Sequence, residues 1–169
     1  QVNPHFLFNS LNTLSSLIHA DPDKADSFVR KLSNVYRYIL EQKDKDLVSL
    51  QSEMEFVRNY IDLQKIRFEE SLQIAYHVGN MEDLEVIPNS IQMLVENAIK
   101  HNVITSENPL HVEIFVEDDH YLVVRNNLQK KKSITRQDTK QPDWVQIGLK
   151  NIKARYEYLT NKRFLVNDP

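Results

Sequence analysis

The chain has no cysteine, which excludes disulfide scaffolds, thiolate metal sites and thiol catalysis. Glycine is nearly missing too: of 169 residues only Gly79 and Gly148 are glycine. Neither a GxGxxG turn nor a GxxxxGK[ST] loop can be assembled from them, so any nucleotide site must be built another way. No apolar run approaches the roughly 20 residues that a helical membrane span requires, and no signal peptide is visible. Charge of one sign is not in excess either. The formal balance of −3 gives no electrostatic footprint of a nucleic-acid-binding domain. Six histidines are present, but none fall at HExxH or similar metal-ligand spacing. Hydrophobic residues make up 41% of the chain, enough for one sizeable core.

The first half reads as helical. Asn3 before Pro4 fits an N-cap followed by proline at the first helical position, and a helix then runs to about His19. Asp21-Pro22-Asp23 is a turn and a second helix start; Ala25, Phe28, Val29, Leu32, Val35, Tyr36, Ile39 and Leu40 follow at helical period. A charged break at residues 42–46 precedes a third helix, for which Ser49 and Ser52 are candidate caps, reaching Phe68. Within the first helix His5 and Asn9 stand at i and i+4, on one face. That pair reads either as a surface or capping histidine with a polar neighbour, or as a nucleophilic imidazole with a carboxamide beside it to hold a phosphoryl oxygen.

The second half is mixed. Residues 72–78 alternate as a strand, residues 86–90 lead through Pro88 into a helix, and residues 111–116 and 121–126 form a hairpin. A polar stretch, residues 129–143, has no periodic pattern, and its Lys130, Lys131 and Lys132 read as a solvated loop. A helix is expected from Ile147 to about Asn161, then a strand at residues 164–166. Helices first, then β-α-β-β-loop-α-β, predicts an α+β architecture: a helical hairpin attached to an α/β sandwich with a mixed sheet. The chain starts without Met and ends at a strand with nothing to close it, which reads as a piece of a longer protein.

The most chemically loaded run is Leu94-Val95-Glu96-Asn97-Ala98-Ile99-Lys100-His101-Asn102. Glu96, Asn97, Lys100 and His101 gather on one side of a helix whose other side is Leu, Val, Ala and Ile. On spacing alone this is the polar face of an amphipathic helix. Carboxamide oxygens also suit Mg²⁺, and a lysine ammonium suits phosphate.

Three separated motifs, in order, resemble one family. Gln1 to Asn12 (QVNPHFLFNSLN) resembles the phosphoacceptor signature of the LytS-type sensor histidine kinases. Leu94 to Asn102 resembles the N-box of their GHKL ATP-binding domain, and Gly148-Leu149-Lys150-Asn151-Ile152 looks like its second glycine box. Leu50 to Phe68, with Glu53, Tyr60, Arg67 and Phe68, looks like the linking helix. The resemblance implies a helical dimerisation and phosphotransfer segment over residues 1–46. It implies a linking helix and Bergerat-type α/β sandwich over residues 47–169, truncated at the C-terminus. It further implies that His5 is the phosphorylated histidine, with Asn9 beside it, and that Asn97 is the Mg²⁺ ligand assisted by Glu96. Lys100 would face phosphate oxygens, and His101 and Asn102 would lie along the nucleotide. Asn126 would accept from the adenine amino group, and Gly148, Leu149 and Asn151 would hold the phosphates and the lid, residues 128–146. The implied cofactors are ATP and Mg²⁺.

The implied partners are a second copy joined through residues 6–40 and the receiver domain of a response regulator, with no nucleic acid. The implied location is the cytoplasmic side of an inner membrane, anchored by segments outside this stretch. The chain departs from the family pattern where Asn126-Asn127-Leu128-Gln129-Lys130 replaces Asp-x-Gly-x-Gly, where Gln146 replaces a glycine, and where Phe6 follows the histidine in place of an acid. Two alternatives follow: a catalytically degenerate, dimeric signalling module, or a GHKL-type ATPase or protein-serine kinase.

Overall fold

A computed structural model describes residues 4–79, 83–118, 121–129, 144–159 and 165; for residues 4, 5, 144–149 and 151 it describes the backbone alone. Two helices open the chain, α1 (Pro4–Ala20) and α2 (Pro22–Glu41). The break between them is set by Asp21, whose side chain accepts from the Lys24 N–H at 3.0 Å while Pro22 fills the first turn of α2. A short strand β1 (Val48–Ser49) leads into α3 (Leu50–Phe68), capped by the Ser49 hydroxyl on the Ser52 N–H. One 3-10 turn (Glu69–Ser71) follows, entered through Glu69 at φ 48°.

Then come β2 (Leu72–His77), β3 (Glu85–Val86), α4 (Ser90–His101), β4 (Leu110–Glu117), β5 (Tyr121–Asn126) and α5 (Trp144–Leu159). Strands β2, β4 and β5 form one sheet in the order β2-β4-β5, with β2 and β4 parallel and β4 and β5 antiparallel. The crossover between the parallel strands carries α4, which therefore packs beside the sheet. The strands β1 and β3 pair antiparallel, Val48 against Val86. The chain is thus α+β with a mixed sheet and a helical hairpin at its start, in agreement with the sequence pattern.

Two boundaries differ from expectation. The last helix begins at Trp144, three residues before Ile147, so Gly148 lies inside α5 and not at the turn before it. Trp144 and Val145 extend the apolar content of that run backward, and helix nucleation favours the longer segment. The paired dipeptides β1 and β3 are too short to leave an alternating pattern in sequence. The expected strand at residues 164–166 and most of the expected lid fall outside the described residues.

One buried cluster joins the parts. It runs from Phe6 of α1 and Phe28, Leu32 and Val35 of α2, through Met54, Val57, Tyr60 and Ile61 of α3, to Val95 of α4 and Leu110, Val112 and Ile114 of β4. Helix α3 supplies seven of its 21 residues, more than any other element, as suits a helix that contacts both the hairpin and the sheet part. Lys31 of α2 pairs with Asp62 of α3 at the rim.

Candidate functional site

The start of α4 has an unusual cap. Asn89 stands at the N-cap position in the left-handed region, φ 63°, and makes no side-chain capping bond. The orphan N–H groups of the helix are met instead by Glu53 of α3, which is fully buried. Glu53 Oε2 accepts from the Asn89 N–H at 3.0 Å and Oε1 accepts from the Ile91 N–H at 3.2 Å. The Tyr38 hydroxyl of α2 donates to Oε2 at 2.8 Å. Burial pushes the Glu53 carboxyl above its ordinary value, while the Tyr38 hydroxyl and the backbone donors of Asn89, Ile91 and Gln92 pull it down. Tyr156 of α5 lies against the same turn, hydrogen-bonded to Ser90 and to the backbone of Ile87. One carboxylate therefore ties α2, α3 and the first turn of α4 together.

Along α4 the polar residues divide. Glu96 Oε2 accepts from Gln92 Nε2 at 2.7 Å and lines a cavity of about 600 Å³ together with Lys100. Helix α1 contributes Phe6, Asn9, Ser10 and Thr13 to the lining, and α3 contributes Tyr60, Leu63, Gln64, Arg67 and Phe68. Phe6 and Tyr60 rings meet at 5.0 Å between centroids, which seats the first turn of α1 on α3. Tyr60 is held neutral: burial raises its pKa, and the Glu96 charge raises it further. Its hydroxyl accepts from Gln64 Nε2 at 3.0 Å. His5 lies in α1 one helical turn before Asn9.

Asn97 is not on the cavity wall. Its side-chain oxygen is buried and has no hydrogen-bond partner, and buried acceptors of that kind are few in folded proteins. A hard cation takes carboxamide oxygens, so the orphaned atom fits Mg²⁺. Among the described residues no three histidines or carboxylates could hold a metal by themselves. His101 stands at the end of α4, half-buried.

Asn102 is committed to the fold. It is 4% exposed; its Nδ2 donates to the Ala98 carbonyl at 2.9 Å and its Oδ1 accepts from the Gln129 N–H at 2.7 Å. The Val103 N–H donates to the Gln129 carbonyl at 2.9 Å, completing a stitch between the end of α4 and the exit of β5. Asn126, at the last position of β5, donates its Nδ2 to the Asn127 carbonyl at 2.7 Å. Beside the positions that are glycine in the family pattern, here Leu128 and Lys130, Asn127 and Gln129 act as braces. Asn127 Oδ1 accepts from the His111 N–H at 2.8 Å, and the side-chain amides of Asn127 and Gln129 both donate to the Pro109 carbonyl, at 3.1 and 2.7 Å. Gly148, Leu149 and Asn151 lie in α5, and of the side chains of Leu149 and Asn151 nothing is described.

The structure thus brings Asn9, Glu96, Lys100 and Asn102 to one cavity and leaves Asn97, His101 and Asn126 off its wall. Gln64 carried no signal in sequence. Tyr60, Arg67 and Phe68 stood out in the linking helix without a site role; only the packing of α3 under α1 and α4 gives them one.

The cavity is lined both by α1, which carries the run resembling the phosphoacceptor signature, and by α4, which carries the run resembling the N-box. The histidine kinase family model matches residues 1–72. The Sensor protein LytS of Streptococcus agalactiae serotype V is 35% identical over 125 residues, covering 73% of this chain and 22% of that protein. The Sensor protein LytS of Staphylococcus haemolyticus is 40% identical over 102 residues, covering 60% and 18%. The Sensor histidine kinase YpdA of Escherichia coli is 37% identical over 103 residues, covering 61% and 18%. The chain belongs to the LytS-type sensor histidine kinases, and it spans about a fifth of the length of the curated relatives it matches.

Proposed function

We propose that the chain is the phosphotransfer and ATP-binding part of a two-component sensor kinase: it phosphorylates His5 with ATP and passes the phosphoryl group to an aspartate of a response regulator. The observation that carries this reading is the cavity shared by Asn9, one turn from His5, and by Glu96 and Lys100 of α4. The α+β order, with α4 beside a mixed sheet, supports a GHKL-type sandwich for the second part. The exposed apolar side chains on α1 and α2 support a homodimer. Among the described residues no helix is long and apolar enough to cross a membrane. A cytoplasmic position tethered by segments elsewhere in the protein follows from the sensor relatives as part of this proposal.

Phosphoryl transfer asks the protein for positioning and charge neutralisation more than for covalent help. His5 acts as the neutral imidazole. The lone pair of one ring nitrogen forms the N–P bond to the γ-phosphorus, the bond from that phosphorus to the β,γ-bridging oxygen breaks, and the electron pair leaves with ADP. The proton on the other ring nitrogen passes to water. Lys100 places an ammonium at the phosphates, and Asn97 presents the carboxamide oxygen that would hold Mg²⁺. When bound, Mg²⁺ would offset the charge of the phosphate oxygens. Glu96, held by Gln92, orients water or the lysine. The test is incubation with Mg²⁺ and ATP labelled on the γ-phosphate, wild type beside His5→Ala and Asn97→Ala. Acid-labile label in wild type and none in either variant is expected; label that survives His5→Ala would sink the assignment.

A second reading is a catalytically degenerate signalling module. It is favoured by the loss of both glycines of the family pattern, Leu128 and Lys130 standing in their places, and by the side-chain braces of Asn127 and Gln129 beside them. Calorimetric titration with Mg²⁺ and ATP separates the two readings: absence of heat, with no shift in melting, selects the degenerate module.

A further inference from the structure

The cavity holds a cation that the phosphotransfer reading does not use. Arg67, in the last turn of α3, lines it together with Phe68, Asn9 and Lys100. Three surface arginines have carboxylate partners: Arg30 pairs with Asp26, Arg125 with Glu113 and Arg155 with Asp46. Arg67 has no ion pair among the described residues and, unlike Arg37 and Arg58, lines the cavity; its contact is with the Phe68 ring, 4.9 Å from the guanidinium carbon to the centroid. A planar fork of donors standing over an aromatic face, on a cavity wall with no carboxylate bound to it, is matched to a tetrahedral oxyanion. Among the described residues Glu96 is the single carboxylate lining the cavity, and Arg67 and Lys100 leave that lining one positive charge in excess.

Location sets which phosphate Arg67 can meet. Lys100 reaches the cavity from α4, which carries the N-box-type run, Asn9 reaches it from α1, which carries His5, and Arg67 reaches it from α3, a third element. We propose that Arg67 binds the γ-phosphoryl oxygens during passage to His5, giving the site its preference for a triphosphate over a diphosphate. The proposal rests on the phosphotransfer reading for the direction of transfer, but its binding consequence can be measured without turnover. The guanidinium gives up no proton; it donates N–H bonds to oxygens that carry the same charge before and after the P–O bond breaks.

The experiment is calorimetric titration of wild type, Arg67→Gln and Arg67→Lys with Mg·ADP and with the Mg complex of adenylyl imidodiphosphate, whose β,γ linkage is not cleaved. Melting temperatures are recorded for all three proteins. Arg67 is exposed, so both variants should fold as wild type does. Arg67→Gln should weaken the triphosphate analogue by about tenfold and leave ADP within about twofold. Arg67→Lys should fall between, since it keeps the charge and loses the fork. Equal weakening of both nucleotides, or none of either, would overturn the assignment. Should wild type discriminate the two nucleotides through Arg67 yet give no acid-labile label, the kinase reading fails and the Arg67 site stands. Should wild type bind neither nucleotide, both fail.

Discussion

Glu53 is fully buried and yet spends both oxygens on hydrogen bonds, a combination that makes its ionisation a stability variable. Burial raises its carboxyl pKa in the folded chain above the ordinary 4.5. A group raised in this way contributes stability that is fully present below the unfolded pKa and is lost as pH rises through the folded one. Glu53→Gln removes that dependence. It also turns an amide nitrogen toward a backbone donor, and should cost about 1–3 kcal/mol. Urea unfolding of both proteins at a series of pH values should show the deficit of the variant largest below pH 4.5 and shrinking as pH rises above it. A deficit that grows with pH would mean that the backbone donors and Tyr38 outweigh burial. Sequence alone made Glu53 a residue of the linking helix and nothing more, because its partners Asn89 and Ile91 lie 36 and 38 residues away. Asp21, by contrast, was legible as a turn and helix start, since its partner is three residues on.

At the scale of elements, two features follow from how helices end and what they leave uncovered. Helix α4 ends on Asn102, whose carboxamide bridges Ala98 and Gln129. Asn102→Ala strands the Gln129 N–H and frees the exit of β5, at a cost of about 1–3 kcal/mol. The loss should appear in thermal unfolding, with faster amide exchange at Gln129. Helices α1 and α2 leave Phe8, Leu11, Ile18, Val29 and Leu40 exposed, with Phe8 and Leu40 at 66%. That stripe is what a second hairpin would cover. Phe8→Ser touches no buried contact of the single chain and should weaken self-association by about tenfold or more in sedimentation, at unchanged melting of the monomer. Wild type sedimenting as monomer at high concentration would remove the dimer. The helical period of Phe28, Leu32 and Val35 predicted their burial correctly. The exposure of Val29 could not be read off the same run, because a second chain and a core leave one pattern.

At the scale of the whole molecule, the order of elements was legible because helix and strand periods are local properties, while the cavity was not, because its walls come from α1, α3 and α4 and their meeting depends on packing. Its geometry carries a consequence for the direction of transfer. Asn9 and the pair Glu96 and Lys100 meet within one chain, through the contact of Phe6 with Tyr60, and no second copy is needed to bring the His5 turn to α4. Autophosphorylation should therefore run within a protomer. Mixing His5→Ala with Asn97→Ala protein, under conditions where subunits exchange, makes hybrid dimers in which each protomer lacks one half of the reaction. A transfer within one chain leaves such hybrids unlabelled. A transfer between chains restores up to about a quarter of the label that wild type shows, since half of the dimers are hybrid and each has one competent pairing of the two. Label at that level would require the phosphoacceptor helix of one protomer to reach α4 of its partner, and would mean that the contact between Phe6 and Tyr60 opens when the dimer forms.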